Sequence, residues 1–355
     1  MSKADSSGAI WVLGATGRSG RGIARRLHGT GHPVVLAGRD AARLSVIAAE
    51  LDGAKVVCGS FDSLLIQMRA AAPTVVVNTI GPFVRTSVPV IAACPPGTHY
   101  VDLGNELAGV RDVLDGHQRA VAEGSTIVTG AGFGVFATES AVLRVCQGRP
   151  VPARLRVDAI PSLAMEEGVI GSALAGSMLD GAPEGGRRVE HGRLVRFPVG
   201  GARQQLTTPT GDAVTTSALP TGELLAAWRV SKADSVIAAT SAIPSGPAVR
   251  AVFPILSVLL RWPALRRFAT ARLAGMPIRA RERSAQFSWG HARAEWNDGT
   301  SADAWLRLGD AQHFTEMVTA EVTRRLLEQQ APAGAYTPAA LFGPSLATDL
   351  GAEFF

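Results

Sequence analysis

Short apolar runs alternate with stretches of helical periodicity through the first third of the chain. Ile10-Trp11-Val12-Leu13 is one such run; it stops at Gly14-Ala15-Thr16-Gly17-Arg18-Ser19-Gly20. A helical pattern follows over 21–27, with Ile23, Ala24 and Leu27 on one face. The same cycle predicts strands over 32–37, 56–59, 73–80 and within 95–106, and a strand and turn over 126–134. Helices are predicted over 41–51, from about Asp62 through Met68, over 88–93 and over 110–122. Strands that alternate with helices in this way predict an α/β fold: a Rossmann-type, doubly wound parallel sheet.

The pattern weakens afterwards, which predicts a second, α+β domain. Residues 153–160 read as a strand, 168–179 as a small-residue helix and 185–201 as loop and hairpin. Residues 287–296 and 301–308 read as strands paired around Asn297-Asp298-Gly299, a favourable hairpin turn. A long amphipathic helix is predicted over 313–329. The expected organisation is a dinucleotide-binding domain over 1–134, a substrate or dimerisation domain over 135–311, and a helix and tail over 312–355 that return to the first domain.

Composition narrows the function classes. The chain has 355 residues, 46% hydrophobic and 18% charged, enough for large cores and against global disorder. A net charge of +5 is spread along the chain. It mildly favours anionic ligands but lacks the basic stripe that nucleic-acid binding needs. Cys58, Cys94 and Cys146 form no metal spacing, so no metal site is predicted, and each reads as a small buried hydrophobe. No secretion signal or membrane-spanning run is visible, which makes the cytoplasm the expected location.

The candidate chemistry lies at the strand ends. Strand, glycine turn and helix together bind a dinucleotide pyrophosphate: Gly14 turns the chain, Gly17 leaves room for phosphate and Gly20 lets the helix pack close. The free N–H groups of the new helix favour an anion. At the end of the second strand, Gly38-Arg39-Asp40 meets the adenosine ribose. Arg39 suits the 2′-phosphate of NADP, and Arg18 offers a second cation. Asp40 is read either as the hydroxyl-binding acid of an NAD site or as the N-cap of the next helix. Ser60 and Asp62 follow the third strand, where a loop passes the adenine; Asp62 and Ser63 also read as a helix cap. Asn78, Thr79, Gly81, Pro82 and Phe83 are expected beside the nicotinamide. Tyr100 and Asp102 share a strand face and are the candidate proton donors. His99 points the other way and reads as structural. Glu106, Glu139, Glu166 and Glu167 are reserves.

These motifs resemble the saccharopine dehydrogenase-like NADP-binding oxidoreductase family, which includes the trans-acting enoyl reductases. The resemblance rests on residues 14–20, Ala37-Gly38-Arg39, Asn78 through Phe83, Gly97-Thr98-His99-Tyr100-Val101-Asp102 with Glu106, and Gly132-Phe133. It implies NADP(H) as cofactor, bound through Gly14, Ala15, Thr16, Gly17, Arg18, Ser19, Gly38, Arg39, Ser60, Asn78, Thr79, Gly81, Pro82 and Phe83. The family usually follows its Gly-Phe turn with an Asp; this chain has Gly134-Val135-Phe136 instead, so the substrate is not carried over.

The expected activity is NADPH-dependent reduction of a C=N or C=C bond in a small or lipid-like metabolite. A short-chain-type reductase is disfavoured, because neither Tyr100 nor Tyr336 has a Lys four residues on. The alternative is a non-catalytic NADP-binding regulator or membrane-associated adaptor. It draws on the apolar run 251–260 and on Arg261, Arg266, Arg267 and Arg272 with Trp262 and Phe268 among them. That stretch, 251–275, reads as a core or subunit-contact helix, a pocket wall or a peripheral membrane element. A homodimer is compatible with the first of these. Arg187, Arg188, Arg193, Arg196 and Arg203 read as a solvated face or as a surface for an acidic substrate.

Overall fold

The computed structural model describes residues 8–162, 168–169, 175–176, 179, 185–242, 259–260, 262–278, 285–328 and 331–355. It divides into two units. The first comprises 1–104, 109–132 and 312–341; the second comprises 105–108, 133–311 and 342–355.

The first unit holds the predicted doubly wound sheet. Its elements are β1 (Ile10–Leu13), α1 (Arg18–His28), β2 (Val34–Gly38), α2 (Ala41–Glu50), β3 (Lys55–Cys58), α3 (Phe61–Ala71), β4 (Val75–Asn78), α4 (Phe83–Ala93), β5 (His99–Asp102), α5 (Leu107–Asp115), α6 (His117–Ala122) and β6 (Thr126–Val128). A seventh strand, Gly334–Tyr336, adds beside β6, and the order across the sheet is Gly334–Tyr336, β6, β5, β4, β1, β2, β3. Every pairing is parallel. Strand order reverses at β1, so Leu13 pairs with both Ala37 and Asn78. The turns after β1, β2 and β4 therefore open on one edge, where such sheets bind ligands. β1, β2 and β4 are buried along their whole length, as apolar strands covered on both faces must be.

Two helices differ from expectation. The stretch 110–122 is broken at Gly116 into α5 and α6, consistent with the poor helix propensity of glycine. Within the expected strand and turn over 126–134, Thr126–Val128 is the strand, and α7 (Phe133–Cys146) already starts at the Gly-Phe turn. α7 belongs to the second unit and is buried on nearly every side, so it lacks the apolar stripe that betrays a surface helix. The helix Ala311–Glu328 packs on α1 within the first unit. Its Glu316 pairs with Arg26 at 2.8 Å, and Gly22 leaves the space that the Glu316 carboxylate occupies. Cys94 is buried, which pushes its thiol up to about 12, whereas Cys58 is exposed and corrects the expectation of three buried thiols.

The second unit is built on a mixed nine-stranded sheet. Its centre is Arg154–Ile160, parallel to Ser235–Thr240 on one side and antiparallel to Ser288–Glu295 on the other. The predicted hairpin forms, Ser288–Glu295 against Ser301–Leu308, and the C-terminal Glu353–Phe354 extends it. Gly290 lets α7 rest on the sheet, because an added Cβ would lie 2.6 Å from the carbonyl of Ala137. Arg187–Glu190 and Arg193–Arg196 form the expected hairpin. Of the stretch 168–179, Gly168–Val169 is a short strand paired with Pro277–Ile278 rather than the start of a helix; residues 170–174 and 177–178 lie outside the described residues.

A buried charge network crosses this sheet. The two ring nitrogens of His291 contact Asp158 at 3.0 Å and Asp303 at 2.8 Å, and the ring stacks on Trp305 at 4.1 Å. Asp158 also accepts from Arg156 and Thr216. Burial works against a charged imidazole here, but the bonds to Asp158 and Asp303 outweigh it and raise the His291 pKa. Burial likewise opposes the Asp158 charge, yet His291 and Arg156 hold its carboxyl below the usual range. The His291 contribution is thus fully present below its unfolded value of 6.5 and is lost as pH rises through the higher folded value. The Asp158 contribution is present above 3.8 and is lost as pH falls through the lower folded value. Removing the imidazole leaves a buried carboxylate short of a partner, so His291→Phe is expected to cost about 3 kcal/mol. Thermal melts of the variant from acid to mildly alkaline pH check this: the loss of stability above neutrality seen in the parent should flatten.

Candidate functional site

The turn after β1 is shaped by its glycines. Gly14 has φ +79°, and a Cβ there would lie 2.7 Å from Thr79 Oγ1. The N–H groups of Gly14 and Ala15 donate to the carbonyl of Ala37 at 2.9 and 3.2 Å, which ties the turn to β2. Gly17 donates to the Gly14 carbonyl at 2.9 Å and caps α1 with no side chain. Any Cβ on Gly20 would collide with the Gly14 carbonyl, so the third glycine is required by the turn itself. The backbone N–H groups of Arg18, Ser19 and Gly20 meet no acceptor among the described residues, and the first turn of α1 carries no acid. These are the groups a pyrophosphate would satisfy. Ala15 is buried behind the turn, and the Ser19 hydroxyl accepts from Gln312 at 3.0 Å.

The second part of the site lies one strand over. Gly38 ends β2 in the core, and Arg39 leaves it exposed. The guanidinium groups of Arg39 and Arg18 have no partner among the described residues, so both are available to an anion. Asp40 is the N-cap of α2: its carboxylate accepts from the N–H of Arg43 at 3.0 Å. The capping role is therefore met by one carboxylate oxygen of an exposed side chain. Arg43, which the sequence did not single out, donates to the carbonyl of Thr16 at 3.2 Å and braces the phosphate turn. Its position three residues beyond a capping Asp was the available signal. Ser60, expected at the adenine, caps α3 by accepting from the N–H of Ser63 at 3.3 Å; Asp62 lies inside the helix rather than at its cap.

The third part follows β4. Asn78 is buried and fully engaged. Its Nδ2 donates to Thr86 at 3.2 Å and to the Tyr100 hydroxyl at 3.1 Å, while Oδ1 accepts from the N–H of Ile80 at 3.0 Å. The Thr79 hydroxyl donates to the carbonyl of Leu13 at 2.8 Å. Asn78 and Thr79 therefore shape the turn with their side chains. The Gly81-Pro82 peptide is cis, and Pro82 precedes Phe83 at the start of α4.

Tyr100 and Asp102 lie in β5. Both are completely buried. The Tyr100 hydroxyl donates to Asp102 Oδ2 at 2.8 Å, and Ser87 donates to the same oxygen at 2.7 Å. Asp102 Oδ1 accepts from Gly104 N–H and the Thr129 hydroxyl at 2.8 Å, and from Gly130 N–H at 3.2 Å. Burial, then the neighbouring Asp102 charge, pushes the Tyr100 pKa well above its ordinary value. Neither side chain presents an oxygen to solvent, and their bonds tie together the ends of β4, β5 and β6. His99 is structural, as expected: its ring accepts from the N–H of Thr126 at 3.0 Å, and burial lowers its pKa.

Among the reserve acids, Glu106 and Glu139 are buried and belong to the second unit, and Glu166 and Glu167 lie outside the described residues. Glu223 was missed. It sits in the first turn of the helix Gly222–Ser231, is buried, and accepts from Asn105 at 3.3 Å while its other oxygen lacks a partner. Burial raises its pKa, against weaker hydrogen bonds that lower it. Gly134 leaves room for this carboxyl, since a Cβ there would collide with it. No sequence motif marks Glu223; only the packing does.

The second unit also carries a concavity of about 710 Å³, lined in part by Arg154, Arg156, Arg188, Glu190, Arg293 and Glu295. Its arginines are paired with carboxylates, and none of its lining residues belongs to the glycine turn. No group of three or more metal-ligating side chains occurs among the described residues, and no helix among them is long and apolar enough to cross a membrane.

Residues 10–128 match the family model for the saccharopine dehydrogenase NADP binding domain, which supports NADP(H) as the cofactor. The trans-acting enoyl reductase of Mycobacterium tuberculosis strain H37Rv is 34% identical over 142 residues, covering 38% of this chain and 34% of that protein. Its Mycobacterium leprae counterpart is 35% identical over 134 residues, covering 35% of this chain and 32% of that protein. The chain thus matches about a third of the length of these curated relatives. Across nearly the whole chain, the fold is that of Saccharomyces cerevisiae saccharopine dehydrogenase (L-Glu forming). The TM-score is 0.65 at 14% identity, covering 98% of this chain and 99% of that one.

Proposed function

With the NADP-binding domain as premise, we propose that this protein is an NADPH-dependent oxidoreductase that reduces a C=N or C=C bond of a small or lipid-like metabolite. The observation that carries the reading is the pairing of a helix N-terminus at Arg18, Ser19 and Gly20 with guanidinium groups at Arg18 and Arg39, none of which meets a partner among the described residues. The first suits a pyrophosphate and the second an additional phosphate. When bound, NADPH supplies the hydride to one carbon of the double bond, and a proton completes the other atom. The chain's own part is to hold the phosphates at α1, to fix the turn after β4 through Asn78 and Thr79, and to keep that turn rigid through Tyr100 and Asp102. The enoyl reductase relatives support the C=C alternative, and the saccharopine dehydrogenase fold is compatible with the C=N one.

The test is a panel of cyclic imines, amino acid–aldehyde mixtures and enoyl thioesters, each followed by loss of NADPH absorbance. Turnover of any member above the no-substrate rate supports the proposal. Tight NADPH binding with no turnover anywhere in the panel favours the non-catalytic alternative, and failure to bind either nicotinamide cofactor removes both.

A further inference from the structure

The helix Pro263–Ala274 of the second unit turns its aromatic and cationic side outward. None of its residues is buried. Phe268 is 64% exposed, and the flanking Trp262 and Met276 are 69% and 53% exposed. Each of the chain's other five tryptophans is buried or half-buried, so Trp262 is an exception within its own protein. Residues 263, 264, 267, 268, 271 and 272 are exposed, and they recur at helical spacing on one face. Arg267 and Arg272 stand on that face beside Phe268, and neither has a carboxylate partner among the described residues. From 259 to 278 the sequence holds no Asp or Glu.

An ordinary surface helix points its large apolar side chains inward and mixes both charge signs outside. This one offers water an indole, a phenyl ring and a thioether, ringed by positive charge only. That combination matches the boundary of a lipid bilayer, where rings sit at headgroup depth and guanidinium groups meet phosphates. We propose that Trp262 to Met276 is a docking surface for an anionic bilayer, placed so that the protein works on or from a membrane surface. Charge complementarity selects the occupant: the patch carries cations and no acids, so it suits a surface dense in phosphate. The apolar run 251–258 and Arg261 lie outside the described residues and take no part in the argument.

The experiment uses the full chain with vesicles of phosphatidylcholine alone or with phosphatidylglycerol, by co-sedimentation and tryptophan emission at low and high salt. The expected result is binding to phosphatidylglycerol vesicles at low salt, at least tenfold weaker at high salt, with a blue-shifted emission. Trp262→Phe should bind but lose the shift, because it keeps a ring and removes the reporting indole. Trp262→Ser with Phe268→Ser, and separately Arg267→Glu with Arg272→Glu, should lose vesicle binding at least tenfold. NADPH binding in each variant reports that the protein is folded. Absence of vesicle binding at low salt overturns the proposal, as does vesicle binding that both double variants retain. A blue shift on raising protein concentration without vesicles, with a dimer in sedimentation that Phe268→Ser abolishes, also overturns it by assigning the patch to a second copy. So does failure to bind vesicles combined with capture by an acidic carrier protein.

Discussion

Arg39→Ala is expected to weaken NADPH binding about ten- to a hundredfold and to leave NADH binding within about twofold of the parent. The argument starts from the end of β2. Gly38 is buried, and the next side chain, Arg39, enters solvent with no partner among the described residues. A charge-assisted bond from such a guanidinium to a phosphate is worth about 1.5–3 kcal/mol. At about 1.4 kcal/mol per tenfold, this is the range stated. The residue that would have favoured NADH, Asp40, is occupied as the cap of α2 through the N–H of Arg43. Titration of both cofactors by fluorescence checks the split. Equal losses for NADPH and NADH would show that Arg39 does not meet the 2′-phosphate. Arg39→Lys should recover part of the affinity, since it restores the charge without the fork.

Asp102→Asn is expected to destabilise the first unit by about 3–5 kcal/mol, although the side chain keeps its size. The carboxylate receives five donors: Ser87, Tyr100, Gly104, Thr129 and Gly130. An amide has one acceptor oxygen, and its nitrogen would point N–H groups at donors. At least two buried donors would then go unmatched, at about 1–3 kcal/mol each. Urea unfolding of the variant, read as a shift of midpoint at unchanged slope, measures the loss. NADPH affinity should fall as well, because Tyr100 links Asp102 to Asn78, whose oxygen holds the N–H of Ile80 in the turn after β4. A loss below about 1 kcal/mol would mean that the network relaxes around the substitution. Tyr100→Phe removes a single bridging hydroxyl and should cost about 1–2 kcal/mol.

The nucleotide half was legible because its signals are local. β1 ends where an apolar run meets glycines, and the positive φ of Gly14 needs a residue without a Cβ. Asp40 and Ser60 both turned out to be caps, a role that depends on two or three neighbouring positions. Tyr100 and Asp102 were drawn from the strand alone, which could not show how deeply both are buried. Strand alternation puts them on one face, yet their burial depends on partners such as Ser87 and Thr129, 15 and 27 positions from Asp102, which strand alternation does not identify. Glu223 was invisible for the same reason: its burial and its bond to Asn105 join residues more than a hundred positions apart.

By itself, the amino-acid order determined that the first third of the chain alternates strands with helices and that its opening turn is shaped by glycines ahead of a helix. Each of those follows from propensity, periodicity or steric need within about twenty residues. Tertiary structure alone decided that α7 is a core helix of the second unit, and that Glu353–Phe354 pairs in the second unit instead of following Ala311–Glu328 into the first. It also decided that Asp102 is buried and accepts bonds from around the ends of β5 and β6, and that His291 is held between two carboxylates. The physical reason is that burial and charge pairing are properties of which segments meet in space, and a residue's own neighbours along the chain do not carry that information.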